Sequence, residues 1–243
     1  MILLVAVPTA VIPTFSDKFR FQVAPSFTVP GSTRPTTSRK ESSVETPAGG
    51  YLDPWADKRL IHFFEQFPNP KHVLELSCLY GDHTIELARR SACVTVVEGR
   101  ERNIQVARER VAEAGLTNVA FIKANLEAGV PDVGADITFC SGLLYHLPKP
   151  WDFLQRLTTK YLYLWTHYTT DNPETVEGYE GRWWQEYGVE DPHSGLSPRS
   201  FWMTEKSLWA ALEKAGYQVM ARDADTGWLP SGPNLILTCE RVV

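Results

Sequence analysis

Val73-Leu74-Glu75-Leu76-Ser77-Cys78-Leu79-Tyr80-Gly81-Asp82-His83-Thr84 is the stretch on which the reading of this chain turns. A short β-type run, His72 to Leu76, ends in a turn of small and polar residues. From about Thr84 to Arg90 the apolar positions then recur at helical spacing. A strand that passes through a tight turn straight into a helix leaves free backbone N–H groups at its carboxyl end. The positive end of the helix lies there too. Such a turn accepts an anionic group, a carboxylate as readily as a phosphate.

The same unit recurs downstream. Val94-Thr95-Val96-Val97 reads as a strand, Glu101 to Ala114 as a helix stopped by Gly115, and Val119 to Ile122 as a strand. Beyond Gly129 and Pro131, Asp136 to Cys140 reads as a strand, Pro150 to Thr159 as a helix and Tyr161 to Trp165 as a strand. Strands alternating with helices at this spacing predict an α/β fold, a doubly wound and mostly parallel sheet with helices on both faces. Its ligands lie beyond the carboxyl ends of the strands, at the switch point. The tail breaks the alternation. Thr204 to Ala215 reads as a helix capped by Thr204, with Gly216 past its end. Tyr217 to Arg222 and Leu235 to Glu240 are strands with no helix between them, so they pair antiparallel and bring the sheet to seven strands.

Upstream, Trp55, Leu60, Ile61, Phe63, Phe64 and Phe67 recur at helical spacing before Pro68 and Pro70. Residues 1–50 lack periodicity and become rich in Ser, Thr and Pro, so they read as an extension that the folded domain, residues 51–243, does not need. Met1 to Phe15 is apolar, yet about twenty residues are needed to span a bilayer, and Pro8 and Pro13 interrupt this run. No membrane span is expected. The run also lacks the basic start of a secretory signal. Cys78, Cys93, Cys140 and Cys239 form no CxxC pair and signal neither a disulfide framework nor a zinc site. A reducing compartment is implied, and the cytoplasm is the expected location, with organellar targeting by residues 1–50 as the alternative.

Charge separates classes of partner. The net charge is −5, and residues 151–243 carry 8 Lys+Arg against 13 Asp+Glu, whereas residues 51–150 carry 11 against 13. Nucleic-acid binders show the opposite sign, so a polyphosphate partner is disfavoured.

Three further windows follow strands. Glu98, in Val96-Val97-Glu98-Gly99-Arg100, ends the second strand, where a carboxylate can accept charge-assisted hydrogen bonds from both hydroxyls of a ribose. No G-x-G-x-x-G is present, which argues against a dinucleotide. Ala124-Asn125-Leu126-Glu127 follows the third strand and offers an amide acceptor beside an apolar side chain. Ser141-Gly142-Leu143-Leu144-Tyr145-His146-Leu147 follows the fourth.

Taken in order, these windows resemble the motifs of class I S-adenosylmethionine-dependent methyltransferases, over roughly Val73 to Trp165 and more loosely to Phe201–Leu208 and the closing strands. The resemblance implies S-adenosylmethionine as cofactor. Its methionine part would be wrapped by Glu75, Ser77, Cys78, Tyr80 and Gly81, its ribose by Glu98, Gly99 and Arg100, and its adenine by Asn125 and Leu126, with Ser141 a further cofactor contact where the fourth window opens the acceptor side of the pocket. About residues 71–150 would form the cofactor half and 151–243 the acceptor side. Ser77 and Leu79 stand where the commonest form of the motif has glycine. The expectation is therefore a turn that needs no positive φ at Ser77 and points the Leu79 side chain away from the cofactor.

All eight tryptophans lie outside residues 56–150, and aromatic residues crowd Tyr161 to Trp202. Large apolar rings with polar tips suit a pocket for a small planar or apolar acceptor, for which Tyr145, Tyr168, Trp183 and Trp184 are the candidates; for Trp183 and Trp184, read in a polar loop between Gly181 and Tyr187, simple packing is the equal alternative. Methyl transfer to an oxygen or nitrogen of such an acceptor is an in-line displacement helped by orientation, and a hydroxyl acceptor benefits from a base. His146 and His167 each follow a sheet strand on the expected side and are the candidate catalytic residues. No carboxylate cluster suggests a metal site. Two other readings stay open. One is a tRNA-modifying transferase, which Leu144-Tyr145-His146 and Phe201–Leu208 also resemble, and the other is a non-catalytic S-adenosylmethionine-binding partner protein.

Overall fold

Alternation along the strands sorts the core into two layers. In β1 (His72–Leu76), Val73 joins one buried cluster while Leu74 and Leu76 join the other. The same parity holds in β2 (Cys93–Glu98) for Val94 and Val96 against Val97, and in β4 (Ile137–Ser141) for Ile137 and Phe139 against Cys140. Successive strand residues point to opposite faces, so a sheet whose strands bury apolar side chains on both faces must be covered on both. The computed structural model describes residues 57–224 and 232–242, and supplies that cover from helices. On one face lie α1 (Lys58–Gln66), α2 (Asp82–Arg90) and α3 (Glu101–Glu113), through Phe63, Leu87 and Ala107. On the other lie α4 (Pro150–Gln155) and α5 (Glu205–Lys214), through Leu154, Leu208 and Leu212.

The sheet has seven strands in the order β3-β2-β1-β4-β5-β10-β9, with β3 (Val119–Lys123), β5 (Tyr161–His167), β9 (Tyr217–Ala224) and β10 (Asn234–Arg241) completing it. Only β10 runs against its neighbours, pairing antiparallel with β5 and β9. The chain moves outward from β1 through β2 to β3, then returns to place β4 on the other side of β1. That reversal opens a crevice at the carboxyl ends of β1 and β4. Thr204 caps α5 as expected, its Oγ1 accepting the Ser207 N–H at 3.2 Å.

Two local expectations change. The segment from Glu174 to Met203 is a second antiparallel sheet of β6 (Glu174–Val176), β7 (Tyr179–Gln185) and β8 (Arg199–Met203). Trp183 and Trp184 therefore stand in a strand and not in a loop. The helix expected to reach Thr159 ends at Gln155, and Thr159 lies beyond it with its hydroxyl 2.8 Å from that of Thr138 in β4. The extension, Tyr51, Trp55 and Trp228 lie outside the described residues. Among the described residues no helix is long and apolar enough to cross a membrane.

Candidate active site

The Ser77–Gly81 turn follows the path of a glycine-rich loop with a single glycine. Ser77 stands at φ 65°, Leu79 at φ 50° and Gly81 at φ 83°. The expectation that Ser77 avoids positive φ is thus overturned, and two side-chain-bearing residues hold the left-handed conformation. Each costs roughly 1–2 kcal/mol, strain of the kind that collects where backbone must approach a ligand. Tertiary contacts hold the turn in place. Ser77 N–H donates to the Val97 carbonyl at 2.8 Å, and Leu79 N–H to the Glu98 carboxylate at 3.3 Å. Cys78, between them, is buried, and burial pushes its thiol well above the usual range.

A cavity of about 240 Å³ opens above this turn at the carboxyl ends of β1, β2 and β4. Of the residues expected to hold a cofactor, Ser77, Cys78, Glu98, Gly99, Arg100, Asn125, Leu126 and Ser141 line it. Glu75, Tyr80 and Gly81 stand behind its wall: Glu75 is buried, and the Tyr80 carbonyl accepts Arg110 Nη1 at 2.7 Å. The Glu98 carboxylate is fixed by the N–H groups of Leu79 and Arg100, the latter at 2.9 Å. Arg100 turns elsewhere. Its guanidinium binds the carbonyls of Val189, Ser194 and Gly195 at 3.0, 2.7 and 3.2 Å, and so draws the segment 189–196 over the cavity. The Asn125 amide oxygen accepts the Glu127 N–H at 2.9 Å. Ser141 Oγ is buried without a hydrogen-bond partner, an orphan facing the cavity.

Glu75 is the most perturbed carboxyl on this side. Burial pushes it up to about 8, the nearby Glu98 and Asp82 charges add to this, and the Thr84 hydroxyl at 2.6 Å opposes it only in part. The folded value lies above the ordinary 4.5, so the stability linked to protonated Glu75 is full below pH 4.5 and lost as pH rises through about 8. Glu75→Gln is therefore expected to melt with the wild type at pH 5 and several degrees higher at pH 8. A kcal/mol corresponds to roughly 2–4 °C in a domain of this size. Parallel melting curves across that range would show that Glu75 is ionised in the fold.

The two histidines part company. His146 lines the cavity with Tyr145, and its Nδ1 lies 3.1 Å from both carboxylate oxygens of Glu186. Burial alone would raise the Glu186 carboxyl, but hydrogen bonds from His146, Ser200 and the Gly195 N–H outweigh it and hold the group at about 2. His167 is set apart from the main cavity. Its Nδ1 faces the Pro233 carbonyl at 3.2 Å, its ring stacks on Trp202 at 5.0 Å, and burial lowers its basicity. Tyr168 donates its backbone N–H to Pro233 and lies away from the cavity. Trp184 stacks on Trp202 at 4.9 Å, while Trp183 packs against Phe201 beneath the Arg199 guanidinium. These rings form a buttress behind Tyr145 and not a wall of the cavity, because pairing of β7 with β8 fixes their positions.

Several cavity residues had no role in the sequence reading. Arg59 and His83 reach it from α1 and α2, joined by Asp57, whose carboxylate takes Arg59 Nη2 at 2.7 Å and His83 Nε2 at 2.9 Å. Asp57 is also the cap of α1, a role its place before an apolar helix could have signalled. Glu186 had no such signal, since it is a lone acidic residue in an aromatic run. Among the described residues no group of three or more His, Cys, Asp or Glu side chains is placed to hold a metal ion.

Comparison with known proteins gives this geometry its context. A profile described as a methyltransferase domain matches residues 73–159. The N-terminal domain of EvdMO1, solved with S-adenosylhomocysteine bound, is 32% identical with a TM-score of 0.62, covering 74% of this chain and 78% of that one. The same domain solved in the presence of S-adenosylhomocysteine and D-fucose gives 32% and 0.64, over 79% and 84%. A Burkholderia thailandensis 1,6-didemethyltoxoflavin-N1-methyltransferase shares the fold at 15% identity and a TM-score of 0.60, over 79% of this chain and 82% of that one. Among curated proteins, the 23S rRNA (uracil(1939)-C(5))-methyltransferase RlmD of Klebsiella pneumoniae is 45% identical over 58 residues, 24% of this chain. The match spans only 13% of that relative's length.

Proposed function

The chain belongs to the class I S-adenosylmethionine-dependent methyltransferases, and we propose that it methylates a hydroxyl of a small polar acceptor with His146 as general base. The observation that carries this reading is His146 itself. One ring nitrogen is held by Glu186, and Nε2, on a residue that lines the cavity, has no protein hydrogen-bond partner among the described residues.

S-adenosylmethionine is the cofactor, and the cavity residues fit it. The Glu98 carboxylate keeps acceptor capacity for ribose hydroxyls beyond its two backbone partners. The orphan Ser141 Oγ needs a polar partner that the described residues do not supply. Leu126 offers apolar cover for a base, and the turn from Ser77 presents backbone N–H groups near the helix end for a carboxylate. When bound, the cofactor supplies a methyl group already activated by its sulfonium. The chain's own residues do the rest. The 189–196 segment, tied by Arg100, limits access of water, Tyr145 and His146 orient the acceptor, and Nε2 takes the hydroxyl proton as the oxygen becomes nucleophilic.

A polar acceptor is favoured over the planar one suggested by the sequence. The acceptor end is lined by Arg59, His83, Tyr145, His146 and His193, with the tryptophans behind. The 32% identical neighbour studied in the presence of D-fucose points the same way, towards a polyhydroxylated molecule. A nucleic-acid acceptor draws support from the local likeness to RlmD, but the acidic residues 151–243 oppose it. Release of S-adenosylhomocysteine, measured with pooled free and nucleotide-linked sugars, with planar aromatic hydroxyl compounds and with bulk tRNA and rRNA, tests the reading. Turnover with the sugars alone is expected. Turnover only with RNA overturns the acceptor class, and none with any pool, despite cofactor binding, favours a binding protein.

A further inference from the structure

His146 is held by an acidic residue from a different sheet, and the pattern of donors around that residue fixes where the imidazole proton sits. Glu186 follows β7, and its backbone N–H donates to the Pro198 carbonyl at 3.0 Å, so its place depends on the β7–β8 pairing. Its side chain is 2% exposed and collects donors on both oxygens. Ser200 Oγ donates to Oε1 at 2.5 Å, while Ser194 Oγ and the Gly195 N–H donate to Oε2 at 2.8 and 2.7 Å. The His146 ring approaches both oxygens at 3.1 Å through Nδ1. An ionised carboxylate only accepts, so the nitrogen facing it must carry a proton. In the neutral imidazole that leaves Nε2 as the bare, basic nitrogen.

We infer that Glu186 is a positioning residue that locks His146 in the Nδ1–H tautomer and thereby makes Nε2 the base. The inference rests on the His146 reading above and extends it to a residue that touches neither cofactor nor acceptor. Its surroundings add rigidity. A Cβ on Gly195 would come within 2.5 Å of the His146 carbonyl, and one on Gly99 within 2.9 Å of Leu196 Cδ1. The segment is thus wedged between the His146 backbone and the ribose-side loop, with Arg100 binding its carbonyls. Glu186 binds the same segment from the other side, through Ser194 and Gly195. The Glu98–Arg100 loop and the base are therefore joined through one short stretch of backbone.

The test reads the tautomer directly. Nitrogen-15 chemical shifts of the His146 ring are recorded on the full chain without ligand, the signal being assigned by its loss in His146→Ala. Wild type is expected to show a protonated Nδ1 and a bare Nε2. In Glu186→Gln the amide can donate to Nδ1, so the proton is expected to move to Nε2. Turnover should then fall at least about tenfold with the cofactor KM nearly unchanged, as for a histidine held in the wrong tautomer. Glu186→Asp, which keeps the charge, is expected to keep the wild-type tautomer and recover part of the turnover. A wild-type ring with its proton on Nε2 overturns the inference, whether or not the variants fold. So does a Glu186→Gln ring unchanged from wild type. The premise fails separately: normal turnover in His146→Ala removes His146 as the base while the shifts still report what Glu186 does to the ring.

Discussion

His146→Ala is expected to lower turnover by ~10²–10⁴-fold while S-adenosylmethionine binds with nearly unchanged affinity, the range for removing a positioned general base. The split follows from where the residue sits. His146 occupies the turn after β4, beside the acceptor end of the cavity, whereas Glu98 and the Ser77–Gly81 turn stand after β2 and β1. A hydroxyl is a poor nucleophile until its proton can leave, and His146 offers an acceptor nitrogen whose ring Glu186 holds in place. The Nε2 of His83 is engaged by Asp57 at 2.9 Å, and the Tyr145 hydroxyl is driven by burial far above the range in which it could serve as a base. Single-turnover kinetics with saturating acceptor and calorimetric titration of the cofactor measure the two quantities separately. A variant with normal turnover would leave orientation alone to carry the rate. A variant that loses cofactor affinity as well would make His146 a structural residue that braces the 194–196 segment.

What the sequence made legible follows from how far each signal reaches. The strand–turn–helix unit from Val73 to Thr84, and the strands after it, were readable because buried parallel strands and their helices leave periodic apolar patterns. Glu98 was legible for a related reason, since its position is defined by the end of a strand. Ser77 was misread because residue type predicts φ only statistically. The Leu79 and Ser77 N–H bonds to Glu98 and Val97, made by residues about twenty positions away, impose a conformation that local preference disfavours.

The acceptor side was harder because its geometry comes from pairing between remote segments. With the stretch taken as a loop, Trp183 and Trp184 read equally well as pocket lining and as packing. Once β7 lies against β8, Trp183 meets Phe201 edge-on and Trp184 stacks on Trp202, the ring that packs against Tyr145 and His167. Glu186 lies forty positions from His146, in a stretch with no motif, and only the second sheet brings the two together. His167 carried the same local signal as His146 and met a different fate. The Pro233 carbonyl, just ahead of β10, meets its Nδ1 and its ring stacks on Trp202, outside the main cavity that His146 lines.

Glu98→Ala is expected to weaken S-adenosylmethionine binding by about 10- to 100-fold, because hydrogen bonds to a charged group contribute roughly 1.5–3 kcal/mol. The carboxylate is almost fully buried and is oriented before any ligand arrives, by the N–H groups of Leu79 at 3.3 Å and Arg100 at 2.9 Å. Little ordering is therefore left to oppose the bonds it makes. The substitution also removes the acceptor that helps hold Leu79 at positive φ, so the turn from Ser77 should relax and contribute to the loss. Glu98→Gln separates the two effects, since an amide oxygen can still accept one backbone N–H while the negative charge is gone. An intermediate affinity for Gln assigns the remainder to the turn. The Glu98 charge is also one of the causes that raise Glu75, so both variants should flatten the fall in melting temperature between pH 5 and 8. Calorimetric titration that finds wild-type affinity in Glu98→Ala would remove the ribose assignment outright. Weakened binding with the wild-type pH slope would keep that assignment and break the electrostatic link from β2 to β1.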